Sequence, residues 1–135
     1  MFGRDSKKEY VFITLFLVAA GFIIFKLVSD KNYQESLEHF YGEGDSMAPT
    51  ILDREEITSD PNQKAEEGDI IVFKCEKCKI TGDDIDILTE RLIEINQEGC
   101  FWVEGDNSLK SYDSRNFGWL CPGEIEYYGV VLDKD

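Results

Sequence analysis

The feature that most constrains this chain is an apolar run from Tyr10 to Val28, in which Lys26 is the one charged residue. As a helix, this run spans roughly 28 Å, close to the thickness of a bilayer's hydrocarbon core. The run has no polar face, which argues against the core helix of a soluble protein. No small-residue cleavage site ends it, which argues against a removable signal peptide. The sequence therefore predicts an uncleaved transmembrane helix over residues 10–28.

The charged residues around this run predict its orientation. Basic residues dominate the segment before it, whereas basic and acidic residues are mixed after it, and basic flanks favour the cytoplasmic side. We therefore expect a cytoplasmic N-terminus over 1–9, a juxtamembrane helix or linker over 29–40, and an extracytoplasmic domain over 41–135. The basic residues before the run are Arg4, Lys7 and Lys8.

The net charge of the chain limits its partners. The formal charge of -14 at neutral pH argues against nucleic acid, since phosphate binding needs clustered Lys and Arg. We interpret the excess of acidic residues as a solvated face.

The pattern after Tyr41 is typical of β-structure. Short runs rich in Ile, Val, Phe, Tyr and Trp predict strands at 69–73, 85–95, 100–103 and 125–132. The stretches TSDPNQ, TGDD and NQEG between these runs have the composition of turns. The sequence predicts a mainly β domain, built as a coiled antiparallel sheet or partly closed β-barrel.

A glycine-rich turn surrounds a candidate nucleophile. Gly42 and Gly44 precede Ser46 and allow unusual backbone angles, and Pro49 stiffens the chain after it. Such a turn can expose a hydroxyl and direct backbone N–H groups toward a developing oxyanion. The turn alone is a weak signal.

Three further motifs follow in order. The stretch 67–73, EGDIIVF, is a turn leading into a buried strand, and 90–93, ERLI, lies in the next predicted strand. The stretch 103–118, VEGDNSLKSYDSRNFG, is more polar than a turn between two strands needs to be.

Taken together, these motifs resemble the boxes of the signal peptidase I family, the S26-type serine peptidases. GDSMAPT resembles the nucleophile box, GDIIVF the strand box, and GDNSLKSYDSRNFG the box GDN-x3-S-x-DSR-x2-G. The motif style is closest to the bacterial and mitochondrial inner-membrane branch. The resemblance implies the signal peptidase fold behind one transmembrane helix. It also implies a membrane-anchored serine endopeptidase that cleaves signal peptides from exported preproteins at the lipid bilayer, without a cofactor or metal.

The resemblance assigns roles to individual residues. Ser46 matches the nucleophile, and its backbone N–H would help to form the oxyanion hole. Some relatives add a hydroxyl at the position of Gly44, where only the backbone could help in this chain. Ser111 matches the serine that hydrogen-bonds the catalytic base. The resemblance also implies supporting residues. Met47 packs beside the nucleophile, Asp106 lies in the last box, and Asp113 forms an ion pair with Arg115.

The residue at the general-base position departs from the family. Relatives carry lysine or histidine there, and this chain carries Glu90. A buried carboxylate could act as a base, because burial raises its pKa. The alternatives are another lysine, of which Lys110 is the nearest by motif, or loss of activity. We interpret the sole histidine, His39, as an exposed linker residue.

The four cysteines leave three alternatives open. An extracytoplasmic domain favours disulfides, with Cys75–Cys78 and Cys100–Cys121 as candidate pairs. Free thiols and a zinc site remain as alternatives, although the second pair lacks CxxC spacing.

Two other functions compete with the peptidase. A catalytically inactive relative would bind signal sequences or a partner protein, and Glu90 supports that interpretation. The related self-cleaving repressor fold is disfavoured by the transmembrane run and by the absence of a DNA-binding domain.

Overall fold

The computed structural model describes residues 6–78 and 87–133, which form two compact units divided between Ser36 and Leu37. The start of the strand predicted at 85–95, the TGDD turn and the first residues of the predicted N-terminal segment lie outside the described residues.

The first unit is one helix, α1, which extends from Ser6 to Ser36. Its large apolar side chains are exposed within this unit, as Phe12 illustrates at 74%. The hydroxyl of Thr14 donates to the Tyr10 carbonyl at 2.8 Å, so this polar group is satisfied inside the helix, as a hydrocarbon environment requires. The helix is long and apolar enough to span a membrane. It continues past the predicted end of the span, so most of 29–40 is helix rather than linker.

The second unit is a six-stranded antiparallel sheet, which agrees with the predicted mainly β class. Its spatial order is β1-β2-β6-β3-β4-β5. A 3₁₀ turn at Glu76–Cys78 follows β3, and a short helix, α2, at Ser114–Phe117 follows β5. The strands are β1 (Glu38–Tyr41), β2 (Glu56–Asp60), β3 (Ile70–Cys75), β4 (Ile87–Ile95), β5 (Phe101–Glu104) and β6 (Ile125–Val131).

The central strand β3 explains the continuous apolar run in this part of the sequence. Ile71 and Phe73 pack in one core cluster, whereas Val72 packs in another, and all three are fully buried. Both faces of β3 are therefore covered, so alternation of apolar and polar residues is absent.

Two strands at one edge of the sheet correct the sequence interpretation. The segment assigned as linker ends in β1, where His39 is 58% exposed, and the TSDPNQ stretch assigned as a turn begins inside β2. Ser59 fits a buried strand position because its hydroxyl donates to the Tyr128 carbonyl at 2.9 Å. A short strand with few apolar residues gives little sequence signal, and its pairing partners decide its structure.

The cysteines form the two candidate disulfides, Cys75–Cys78 and Cys100–Cys121. The predicted NQEG turn is also confirmed, because the Asn96 side chain accepts the backbone N–H groups of Glu98 and Cys100. All four thiols are used, which excludes the zinc and free-thiol alternatives in this structure.

Candidate active site

The turn that carries Ser46 is held by bonds on both sides of the serine. Gly44 has φ +80°, a conformation that favours glycine, and its N–H donates to the Asp53 carboxylate at 2.9 Å. Met47 follows Ser46 and is 3% exposed, so it anchors the turn in the core. In the described part of the chain, neither the backbone N–H nor the hydroxyl of Ser46 has a hydrogen-bond partner. Both groups are therefore available for chemistry.

Ser46 and Glu90 line the same cavity, which has a volume of about 680 Å³. The cavity is lined by Phe40, Tyr41 and the Ser46 turn, together with the first part of β4. β5 pairs with β4 only from Arg91 onward, so residues 87–90 have no β5 partner along the described strands. The cavity thus borders a part of β4 that does not pair with β5.

Glu90 is a buried carboxyl group with an unsatisfied oxygen. Its side chain lies on the core-facing side of β4, and the residue is 2% exposed. The Oε2 atom has no hydrogen-bond partner among the described residues. Burial raises the pKa of Glu90 to about 8, and the negative charge of Asp113 adds to the rise. The positive charge of Arg115 offsets part of it.

Asp113 is a buried carboxylate in the opposite electrostatic situation. Burial alone would raise its pKa, but hydrogen bonds from Arg115, Ser111 and the Gly105 N–H hold that pKa at about 2. The Ser111 hydroxyl donates to Asp113 Oδ2 at 2.6 Å, and Arg115 Nε donates to Oδ1 at 2.9 Å. Asp113 also caps α2. The two buried carboxyl groups therefore favour different protonation states near neutral pH.

Gly105 brings Ser111 against the Ser46 turn. A side-chain Cβ at this position would lie 2.3 Å from Ser111 Oγ and 2.7 Å from the Ser46 carbonyl oxygen. Only glycine leaves room for this approach. Asn107 N–H donates to the same Ser46 carbonyl at 2.8 Å. The last motif therefore contacts Ser46 through its backbone, and the Ser111 hydroxyl, which the resemblance assigned to the base, donates to Asp113.

A second ion pair, which the sequence interpretation did not assign, is the centre of hydrogen bonds that join all four motifs. Arg91 donates from Nε and Nη2 to the two carboxylate oxygens of Asp106 at 2.7 and 2.6 Å, and from Nη1 to the Gly68 carbonyl at 2.8 Å. The Thr50 hydroxyl also donates to Asp106. These hydrogen bonds hold β4, at the residue next to Glu90, against the loop that follows Ser46. The only sign of this ion pair in the sequence was an arginine and an aspartate in separate polar motifs.

Lys110, the alternative base, and His39, the sole histidine, lie in different surroundings. Lys110 lines the cavity, but its side chain is 63% exposed and Nζ lies 3.7 Å from an Asp45 carboxylate oxygen. Its exposure contrasts with the burial of Glu90, which is 2% exposed. His39 lies on β1, with Nδ1 3.2 Å from the Thr58 hydroxyl, and is not a cavity-lining residue.

No protein-family model matches the chain, and no curated protein matches it either. Motif order and site geometry therefore carry the functional assignment.

The raised pKa of Glu90 predicts an unusual dependence of stability on pH. The folded-state pKa, about 8, exceeds the ordinary value of 4.5, so folding binds a proton between these values. Stability from this group is fully present below pH 4.5 and is lost as pH rises toward 8. We expect Glu90→Gln, which is neutral at every pH, to raise the free energy of unfolding by about 3 kcal/mol at pH 7.

Thermal unfolding of the full chain in detergent, followed by tryptophan fluorescence, measures this effect. Both tryptophans, Trp102 and Trp119, lie in the β unit and pack edge to face, so the signal reports that unit alone. The difference in stability between Glu90→Gln and the parent should disappear near pH 4. Glu94→Gln removes an exposed carboxyl from the same strand and should change little. A Glu90→Gln variant less stable than its parent at pH 7 would contradict the account.

Proposed function

We propose that this protein is a membrane-anchored serine endopeptidase of the signal peptidase type, which cleaves signal peptides from exported preproteins with Ser46 as nucleophile and Glu90 as general base. The observation that carries the proposal is the cavity shared by Ser46 and a buried Glu90, one carboxyl oxygen of which has no hydrogen-bond partner among the described residues. The order of the four motifs supports the same family.

The pKa of Glu90 suits the chemistry. Burial disfavours the charged form of any side chain, so it lowers the pKa of a lysine and raises that of a glutamate. Both changes move the group toward the range in which it can take a serine proton near neutral pH. Glutamate is therefore a chemically reasonable replacement for the lysine of related enzymes, at the cost of needing alkaline pH for full ionisation.

The cavity walls support a peptide substrate. An extended peptide could add to the edge of β4 at 87–90, which does not pair with β5, through main-chain hydrogen bonds. The scissile carbonyl would then lie between this edge and the Ser46 turn, with the unpartnered Ser46 N–H as an oxyanion donor.

Two independent observations support an extracytoplasmic domain anchored by α1. Basic residues precede the apolar run, which favours a cytoplasmic N-terminus. The β unit carries two disulfides, Cys75–Cys78 and Cys100–Cys121, which persist in oxidising compartments outside the cytoplasm.

Cleavage of a synthetic signal-peptide substrate by the full chain in detergent tests the proposal. We expect cleavage at pH 9 after alanine residues at the -1 and -3 positions, as the family resemblance implies. A matched peptide with phenylalanine at these positions should be cut at least about 10-fold more slowly, since binding differences of 1.4 kcal/mol already give that ratio. Equal cleavage of both peptides would contradict signal-peptidase specificity.

One observation favours a second candidate, a catalytically inactive relative that binds signal sequences or a partner protein. At pH 7, a Glu90 with a pKa of about 8 is mostly protonated and cannot accept the proton of Ser46. This candidate predicts that wild-type and Ser46→Ala proteins bind the peptide equally, with no cleavage even at pH 9. A gain of cleavage by Glu90→Lys in a silent parent would identify a degenerate peptidase.

A further inference from the structure

Acyl transfer at Ser46 would need hydrogen-bond donors for an oxyanion. Attack of Ser46 on a peptide carbonyl places negative charge on the carbonyl oxygen, and two donors commonly stabilise it. The Ser46 N–H is one free donor among the described residues. Gly44 has no side chain, and its N–H is already bonded to Asp53. Gly44 therefore supplies no second donor, and a side chain that lines the cavity is a candidate.

Lys110 is held beside this turn by two contacts. Its N–H donates to the Asn107 carbonyl at 3.0 Å, which closes a tight turn, and the Asn107 N–H donates to the Ser46 carbonyl at 2.8 Å. At the other end of the side chain, Lys110 Nζ lies 3.7 Å from an oxygen of Asp45, the residue before Ser46. The backbone and the ammonium group of Lys110 are thus both positioned relative to the nucleophile.

The ammonium group keeps its donors available. A separation of 3.7 Å is longer than a hydrogen bond, so Asp45 attracts Nζ without taking one of its protons. The side chain is 63% exposed and lines the cavity, so it can turn toward a bound carbonyl. Asp45 keeps the cation near the site while no substrate is present.

We propose that Lys110 is a catalytic residue whose Nζ donates a hydrogen bond to the oxyanion of the tetrahedral intermediate. This inference rests on the proposed peptidase function. In the acylation step, the bond from Ser46 Oγ to the carbonyl carbon forms, the carbonyl electron pair moves to oxygen, and the serine proton passes to the Glu90 carboxylate. The intermediate then expels the amine, which takes that proton from Glu90. Lys110 stays protonated throughout and contributes charge, not a proton.

This role differs from that of a general base in its chemical requirements. A base must lose its proton, which arginine cannot do, whereas an oxyanion donor needs only a positive N–H group. Because the side chain is exposed, water screens its charge, and its loss should cost less than the 10²-fold or more typical of an enclosed oxyanion hole. We expect about a 10-fold effect.

Three variants of the full chain test the role, with kcat and KM measured on the alanine substrate at pH 9. Lys110→Gln should lower kcat about 10-fold with KM within about 2-fold, and Lys110→Arg should keep kcat within about 3-fold of the parent. Lys64→Gln removes the same charge from an exposed residue that does not line the cavity and should leave both constants unchanged.

A peptide boronic acid, which forms a tetrahedral adduct with the nucleophile, gives a second readout. Lys110→Gln should weaken its binding about 10-fold while leaving the affinity for the cleaved product peptide unchanged, and a merely structural role would weaken both. The proposal is overturned if Lys110→Gln keeps the kcat of the parent, or if Lys64→Gln loses as much kcat as Lys110→Gln does. It is also overturned if Lys110→Arg loses more than 100-fold in kcat, which would identify Lys110 as a base. A wild-type protein that cleaves no peptide would instead refute the peptidase function itself.

Discussion

Ser46→Ala is expected to reduce cleavage of the alanine substrate by about 10⁴-fold or more, to the background of the assay. Removing the nucleophile of a serine peptidase leaves only the contribution of binding and of the oxyanion donors. The variant should still fold, because the hydroxyl of Ser46 makes no hydrogen bond within the described structure. Mass spectrometry of the peptide products at pH 9 measures the effect.

A neighbouring serine provides the control for this variant. Ser108 is exposed in the loop that approaches the Ser46 turn, and Ser108→Ala should retain activity within about 2-fold. Residual cleavage by Ser46→Ala above one per cent of the parent would assign the nucleophile to another residue and remove the basis of the proposed mechanism.

Glu90→Gln is expected to lower kcat by about 10²- to 10⁴-fold, the scale on which enzymes lose a general acid or base. Glutamine keeps the shape of the side chain but cannot accept the proton of Ser46. The same substitution should stabilise the fold at neutral pH, because it removes the cost of ionising a buried carboxyl group. Loss of activity together with gain of stability cannot be attributed to unfolding.

Glu94→Gln, on the same strand, is the matched control and should behave like the parent in both assays. A parent that cleaves well and tolerates Glu90→Gln would move the base role to another residue while leaving Ser46 as nucleophile.

Much of the fold could be predicted from the sequence, because strong hydrophobic patterns identified its elements. The apolar run indicated α1, the apolar residues of Ile70–Phe73 indicated β3, and the Ile, Tyr and Val residues of 125–131 indicated β6. β1 and β2 were missed because these strands are short and mix polar with apolar residues. They become strands through pairing: Phe40 lies opposite Ile57, and Ser59 lies opposite Val131. Such pairing depends on residues distant in sequence, which local composition does not reveal.

The residues of the candidate site could be predicted from the sequence, but the burial and the pKa of Glu90 could not. The glycine-rich turn indicated Ser46, and motif order indicated Glu90. The burial of Glu90, its unpaired oxygen and its raised pKa depend on how β4 packs against the last motif, and no local pattern encodes them. The hydrogen bonds of Asp106 with Arg91 and Thr50 were missed for the same reason, since the three side chains come from separate loops and strands.

The dependence of kcat/KM on pH for the alanine substrate tests the central claim most directly. If the carboxylate of Glu90 is the base, only its ionised form reacts, and that form increases as pH rises toward the pKa of about 8. The account predicts that kcat/KM rises about 10-fold per pH unit from pH 5 to 7 and levels off above pH 8. A rate that is constant from pH 5 to 9, or that falls as pH rises through 8, would contradict Glu90 as the base.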